Sequence, residues 1–162
     1  MIDLENVRRI IFVDKHAVTR APMAAEILKK NLHEMYPKLR IEVYSRGLVV
    51  NFPEPMNPKA EAVLHGNEII VKDYVSKEFI EEEVTDKTLV LALDQEVLEV
   101  LIERYTILTE ENTFVLAFFV GEELETLDPY GEPIVKYGLC YEALKETTKN
   151  LLLKMKGESK NE

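Results

Sequence analysis

The sequence predicts an α/β domain of three layers, in which helices cover both faces of a four-stranded parallel sheet. Apolar runs alternate along the chain with segments of helical periodicity, which is typical of βαβ units. The runs are nearly continuous in β-branched and aromatic residues, as expected for strands that are covered on both faces. A polar loop and a helix start follow the first run directly. We expect one domain over residues 1–156 and a polar, disordered tail over 157–162.

The first βαβ unit is predicted from the N-terminal third of the chain. Residues 8–13 form an apolar run and predict the first strand. Pro22 lies at a helix start, where its missing N–H costs nothing, and the helical periodicity continues to about Met35. Pro37 then stops the helix. Residues 40–45 alternate in polarity and predict a second, more exposed strand.

The middle of the chain predicts a long loop and two short helices. Residues 47–57 contain one glycine and two prolines and predict a loop that is longer than most connections. A short helix is expected over 58–64, ended by Gly66. Ser76 is a typical N-cap residue, so a further short helix is predicted over 76–83.

The last two strands and the last two long helices follow in the same alternation. Residues 88–93 predict the third strand, Asp94 caps a helix over 95–104, and residues 113–120 predict the fourth strand. The chain then continues with an acidic loop over 121–133 and a long helix over 136–155.

Composition excludes several classes of function. The formal net charge of −10 disfavours nucleic-acid binding, because such binding depends on basic residues that neutralise phosphates. No apolar stretch is long enough to span a membrane, and the first residues do not resemble a signal peptide. The single cysteine, Cys140, forms no internal disulfide and fits a reducing compartment. These observations predict a cytoplasmic protein that binds neither membranes nor nucleic acid.

The loop between Asp14 and Arg20 is the main candidate site. It joins the end of the first strand to the start of the first helix, where backbone N–H groups and the helix dipole favour a bound anion. The guanidinium of Arg20 supplies the bidentate hydrogen bonds that suit a phosphate or sulfate. The sequence therefore predicts an anion-binding loop.

This loop and its surroundings resemble the low-molecular-weight protein tyrosine phosphatases. That family carries Cys-(x)5-Arg-Ser-Pro after its first strand, and this chain carries Asp14-(x)5-Arg20-Ala21-Pro22. The likeness extends in order over nearly the whole chain, through residues 23–28, 45–48, 57–60 and 128–130. The resemblance implies the phosphotyrosine protein phosphatase I-like fold and a site at the carboxyl ends of the strands.

The resemblance also assigns roles to individual positions. Asp14 stands at the nucleophile position, Arg20 at the phosphate clamp, and Asp128 at the general acid. The ligand-binding positions it implies are Lys15, His16, Ala17, Val18, Thr19 and Tyr130. The chain departs from the family pattern at the nucleophile, at the small residue and the Asn now replaced by His16 and Ala17, and at the hydroxyl now replaced by Ala21.

A carboxylate at position 14 changes the chemistry that the loop can perform. The family reaction needs a thiolate, whereas Asp14 is a weaker nucleophile toward phosphorus and is negative at neutral pH. Two like charges at ~4 Å repel by ~4 kcal/mol at an effective dielectric constant of about 20. We therefore predict that the Asp14 carboxylate fills the anion site in place of phosphate, within hydrogen-bond reach of the loop N–H groups or of Arg20 and most simply as an internal pair with Arg20. This indicates a catalytically impaired relative with a binding or regulatory role.

Three alternatives remain open at this stage. An active phosphomonoester hydrolase would use Asp14 as nucleophile or as base for water, and a metal-assisted version would need Asp94 and Asp128 nearby. The former active-site face is also available for homodimerisation. Asp128 is equally consistent with a simple turn. We expect no cofactor and no metal, with a phosphorylated protein or a small anion as a weak partner.

Overall fold

The computed structural model describes residues 2–158 and contains a four-stranded parallel sheet of order β2-β1-β3-β4. The strands are β1 (Arg9–Asp14), β2 (Glu42–Gly47), β3 (Thr88–Ala92) and β4 (Thr113–Val115). The helices are α1 (Arg20–Met35), α2 (Pro58–Gly66), α3 (Gln95–Arg104), α4 (Leu116–Phe119) and α5 (Ile134–Met155), with short 3-10 turns at Leu4–Asn6 and Glu81–Glu83. The predicted fold class is confirmed. Within residues 2–158, no helix is long and apolar enough to cross a membrane.

Side chains alternate along the two central strands and supply two separate cores. Ile10 and Phe12 of β1 pack with Leu89 and Leu91 of β3 into a cluster that also contains α1 and α5. The intervening side chains, among them Val13, pack on the other face with α3 and with Phe79. Because both faces are covered, these strands are apolar throughout and the three-layer prediction holds.

The strand register sets the position of the candidate loop. Asp14 is the last residue of β1 and lies opposite Gly47, the last residue of β2. Since parallel strands end at the same edge of a sheet, the 14–20 loop, the start of the 48–57 loop and the β3–α3 junction meet at one rim. Asp94 accepts the Val97 N–H at 2.9 Å and caps α3, as predicted.

Two predicted elements are wrong. The fourth strand ends at Val115, and residues 116–119 form the short α4. A continuous apolar run carries no period that separates strand from helix, so the end of the strand could not be located from the sequence. Residues 76–80 are not helical: the hydroxyl of Ser76 accepts the Glu54 N–H at 2.9 Å, and the Gly47 and Phe79 amides bond across to the neighbouring segment. The segment therefore runs alongside the end of β2.

The helix boundaries differ slightly from those predicted. Helix α1 begins at Arg20 rather than Pro22, so the clamp position is its first residue. Helix α2 reaches Gly66, and α5 begins at Ile134. The predicted tail over 157–162 lies mostly outside the described residues, which end at Glu158.

Candidate active site

The predicted site residues converge on one cleft of about 540 Å³ at the carboxyl ends of the strands. Asp14, Lys15, His16, Val18, Thr19 and Arg20 line it from the loop, and Asp128 and Tyr130 line it from the opposite rim. The cleft is completed by residues from the 49–54 segment and by Ser76. Ala17 is the exception among the predicted ligand-binding residues, because it is buried and does not line the cleft.

The carboxylate of Asp14 is held by the backbone of its own loop. Its Oδ1 accepts the Ala17 N–H at 2.6 Å, and its Oδ2 accepts the Ala21 N–H at 2.9 Å. The side chain is buried, and burial raises the pKa of the Asp14 carboxyl, while these two hydrogen bonds and the Arg20 charge act in the opposite direction. Asp14 thus fills the nucleophile position and points its oxygens at the loop amides.

The predicted ion pair between Asp14 and Arg20 is wrong. The Arg20 guanidinium instead donates to Asp94 Oδ2 at 2.7 Å and to the Thr126 carbonyl at 2.8 Å. Asp128 lies at 3.9 Å from the same guanidinium, on the exposed rim. The physical reason is that Arg20 begins α1 beside the start of α3, where the capping carboxylate of Asp94 is the nearer partner.

Some N–H groups of the Arg20 guanidinium make no hydrogen bond within residues 2–158. Nη1 donates to the Leu93 and Thr126 carbonyls and Nη2 donates one N–H to Asp94, so Nε and the second N–H of Nη2 have no hydrogen-bond partner within residues 2–158, although Nη2 also lies 3.9 Å from the Asp128 carboxylate. The Oγ1 atom of Thr19 is buried and likewise has no partner in the described chain. The rim of the loop therefore retains donors that an anion could use.

Residues outside the 14–20 loop hydrogen-bond to it and hold its backbone in place. The Val18 carbonyl accepts the Asn57 N–H at 2.8 Å and the Lys15 carbonyl accepts the Val49 N–H at 3.0 Å. The hydroxyl of Tyr74 donates to the Ala17 carbonyl, and burial raises the pKa of Tyr74 to about 12, so this hydroxyl keeps its proton. His16 is exposed, and its Nδ1 donates to the Val49 carbonyl at 3.0 Å.

Sequence reasoning missed two of these contributors. Tyr74 carries no motif, and its contact with the loop depends on how a distant irregular segment folds back. The sequence predicts Asp94 as a helix cap and, under the metal-assisted hypothesis, as a residue near the site, but it does not predict that the second Asp94 oxygen accepts from Arg20. The signal for Asp94 was its place directly after a strand, at the same rim as the loop.

Two other groups do not provide a replacement for the missing thiolate. Cys140 is buried in α5, and burial raises the pKa of its thiol to about 12, so it remains protonated at neutral pH. Among the described residues there is no group of three or more metal-ligating side chains. Asp94 and Asp128 do lie near Arg20, as the metal-assisted hypothesis requires, but Asp94 is engaged by that arginine.

Ala17 adopts a left-handed backbone conformation with φ of 59°. A residue with a Cβ is disfavoured there by roughly 1–2 kcal/mol, because the Cβ approaches the following carbonyl. We expect Ala17→Gly to raise the free energy of unfolding by about 1 kcal/mol, measured by urea denaturation.

The matched control for this change is Ala143→Gly, on an exposed position inside α5. It should lower the free energy of unfolding by about 1 kcal/mol, because glycine is a poor helix former. Equal losses in both variants would mean that the loop stores no strain at Ala17.

Comparison with known proteins agrees with the geometry. The family profile described as low molecular weight phosphotyrosine protein phosphatase matches residues 9–161. Comparison with curated protein sequences gives no significant match.

Solved structures superpose closely on the chain. The low molecular weight protein tyrosine phosphatase from T. tengcongensis is 28% identical, with a TM-score of 0.84 over 91% of this chain and 99% of that one. The YwlE arginine phosphatase from Geobacillus stearothermophilus is 28% identical, with a TM-score of 0.81 over 93% and 94% of the two chains. A low molecular weight protein tyrosine phosphatase from Bacillus subtilis is 26% identical, with a TM-score of 0.82 over 92% and 97%.

Proposed function

Because this chain belongs to the low molecular weight phosphotyrosine protein phosphatase family, we propose that it is a catalytically silent member that serves as a binding or regulatory module. The hydrogen bonding of the Asp14 carboxylate supports this proposal. A carboxylate whose two oxygens each accept a loop N–H stands where the family chemistry needs a thiolate, and those hydrogen bonds weaken it further as a nucleophile.

The remaining features of the cleft support a binding role. The free donors of Arg20 suit a phosphorylated protein or a small anion, although the Asp14 carboxyl opposes tight binding because it already occupies the Ala17 and Ala21 N–H groups. The rim also exposes two large aromatic side chains, Phe52 and Tyr130, at 76% and 73% exposure. Apolar groups of this exposure around a cleft are typical of interaction surfaces. Homodimerisation through this face stays a prediction.

An active hydrolase that uses Asp14 is the second candidate. It is favoured by one observation: Asp128, at the general-acid position, lies at the same rim as Asp14 and 3.9 Å from Arg20. In that case the carboxylate would leave its amide partners to attack phosphorus or to activate water.

The test is hydrolysis of p-nitrophenyl phosphate at neutral pH by the purified protein. We expect no vanadate-sensitive turnover above a buffer blank, because no thiolate is present. Asp14→Cys should restore only partial activity, since Ala21 offers no hydroxyl to support the thiolate.

Asp14→Asn is the matched control for the alternative. It keeps the size of the side chain, removes its charge and retains an acceptor for one of the two loop N–H groups. Robust turnover by the unchanged protein that disappears in Asp14→Asn would contradict the silent assignment and establish the Asp14-based route.

A further inference from the structure

A second cleft of about 520 Å³ lies far from the phosphatase-like site. Arg8, which precedes β1, and Glu42, which begins β2, both line it, so it opens at the amino ends of the strands, whereas Asp14 lies at their carboxyl ends. Residues of α1 and of the connection between α1 and β2 form the rest of its wall. We call it the basic pocket and define it by Arg8, Lys29, His33 and Arg40.

The charge of the basic pocket is opposite to that of the protein as a whole. The chain carries 30 acidic and 20 basic residues, yet Arg8, Lys29 and Arg40 converge here from three separate segments. The one carboxylate in the lining, Glu42, is already taken by Arg9 at 2.9 Å and by the Tyr44 hydroxyl at 3.0 Å. A second carboxylate, Glu158, lies beside the lining and accepts a hydrogen bond from the Tyr36 hydroxyl. The pocket keeps a local positive charge because Arg8, Lys29 and Arg40 outnumber these carboxylates.

The cations keep donors free for a ligand. Nη1 of Arg8 is anchored by the Glu5 and Val7 carbonyls at 3.1 and 2.9 Å, so the guanidinium is positioned while Nε and Nη2 have no partner in the described chain. Arg40 is exposed and has no side-chain partner within residues 2–158. Lys29 makes one exposed contact with Glu26 at 3.3 Å, which is a weak interaction.

The end of α1 does not account for all of these cations. Helix carbonyls attract positive charge within the last turn, where His33 is the one basic residue of α1. Arg8 comes from before β1, and Arg40 follows the helix by several residues. Their convergence calls for a different explanation, and a bound anion supplies it.

The floor of the basic pocket is apolar. Leu32, Leu39 and Ile41 contribute buried or half-buried aliphatic surface, and the half-buried Tyr36 and the exposed Pro37 add flat faces. A volume of this size suits a small organic molecule. We propose that the basic pocket binds a small organic phosphate that carries a flat apolar group, the chemistry of a nucleotide, independently of the phosphatase-like site.

The test is titration of the full chain with ATP, inorganic triphosphate and adenosine, each without divalent cations, followed by amide chemical shifts. ATP should bind most tightly, triphosphate more weakly and adenosine not measurably. The shifts should concentrate on residues 29–42. Arg8→Gln/Arg40→Gln should weaken ATP binding at least about tenfold, because two charge-assisted hydrogen bonds are lost.

The matched control is Lys72→Gln/Lys149→Gln, which removes the same charge from two exposed positions outside the pocket. It should change the affinity less than about twofold at physiological ionic strength, because distant exposed charges are screened. Thermal melting of both double variants verifies that they are folded. Absence of ATP binding, equal binding of ATP and adenosine or of ATP and triphosphate, equal losses in the two double variants, or shifts centred on residues 14–21 would each overturn the proposal.

Discussion

Arg20→Gln is expected to lower the free energy of unfolding by about 3 kcal/mol, because breaking a buried ion pair leaves an uncompensated charge. The Arg20 and Asp94 side chains are only 5% and 19% exposed and lie 2.7 Å apart. The same guanidinium also satisfies the Thr126 carbonyl. Arg20 thus connects three segments of the protein, which are α1, the start of α3 and the loop that contains Thr126 and Asp128. Urea denaturation monitored by circular dichroism measures the change.

The control for this prediction is Arg104→Gln. Arg104 is exposed and makes one long contact, with the Leu48 carbonyl at 3.4 Å. Its replacement should change the free energy of unfolding by less than about 0.5 kcal/mol. If Arg20→Gln were as mild as Arg104→Gln, the pair with Asp94 would contribute nothing to stability and Arg20 would be held in the site for another reason.

Gly47→Ala is expected to lower the free energy of unfolding by about 3 kcal/mol, because overpacking a tight contact forces the backbone to move. A Cβ at position 47 would lie 2.8 Å from the carbonyl carbon of His16 and 3.0 Å from the amide nitrogen of Ala17. Both are backbone atoms of the anion loop, so neither can rotate away. The loop and the end of β2 must separate, and the hydrogen bond from the Leu48 N–H to the Asp14 carbonyl at 3.0 Å would be strained.

Gly138→Ala is the matched control, since it is the same substitution inside α5. Apart from the adjacent residues and the backbone of α5 itself, nothing in the described chain lies within 4 Å of a Cβ added there. It should raise the free energy of unfolding by up to about 1 kcal/mol, because alanine is the better helix former. Opposite signs at the two positions would establish that the loop packs against Gly47, and a neutral Gly47→Ala would contradict the close approach.

The architecture was predictable because its signals are local and repeated. Each apolar run ends next to a helix start, and parallel strands place all such junctions at one edge. This is sufficient to bring Asp14, Arg20 and Asp128 together, although more than a hundred residues separate the first from the last. The strand at 113–115 was predicted too long because a buried apolar run gives no period from which to locate its end.

The detailed contacts of the site were not predictable in the same way. Arg20 and Asp14 are close in sequence and opposite in charge, which favours a local pair. The actual partner of Arg20 is Asp94, 74 residues away, which the fold brings to the same rim as the N-cap of α3. Ser76 shows the same limitation: its hydroxyl binds the Glu54 N–H across two loops, whereas its sequence context is that of a helix cap.

The contacts that hold the 14–20 loop in place affect the entropy and the heat capacity of binding for any ligand that enters the cleft. The Val49 and Asn57 amides, the Tyr74 hydroxyl and the packing on Gly47 order the loop during folding, without a ligand. A ligand then loses its own freedom on association but does not also have to immobilise the loop. Its heat-capacity change should report only the surface it covers, without the added burial that accompanies coupled folding.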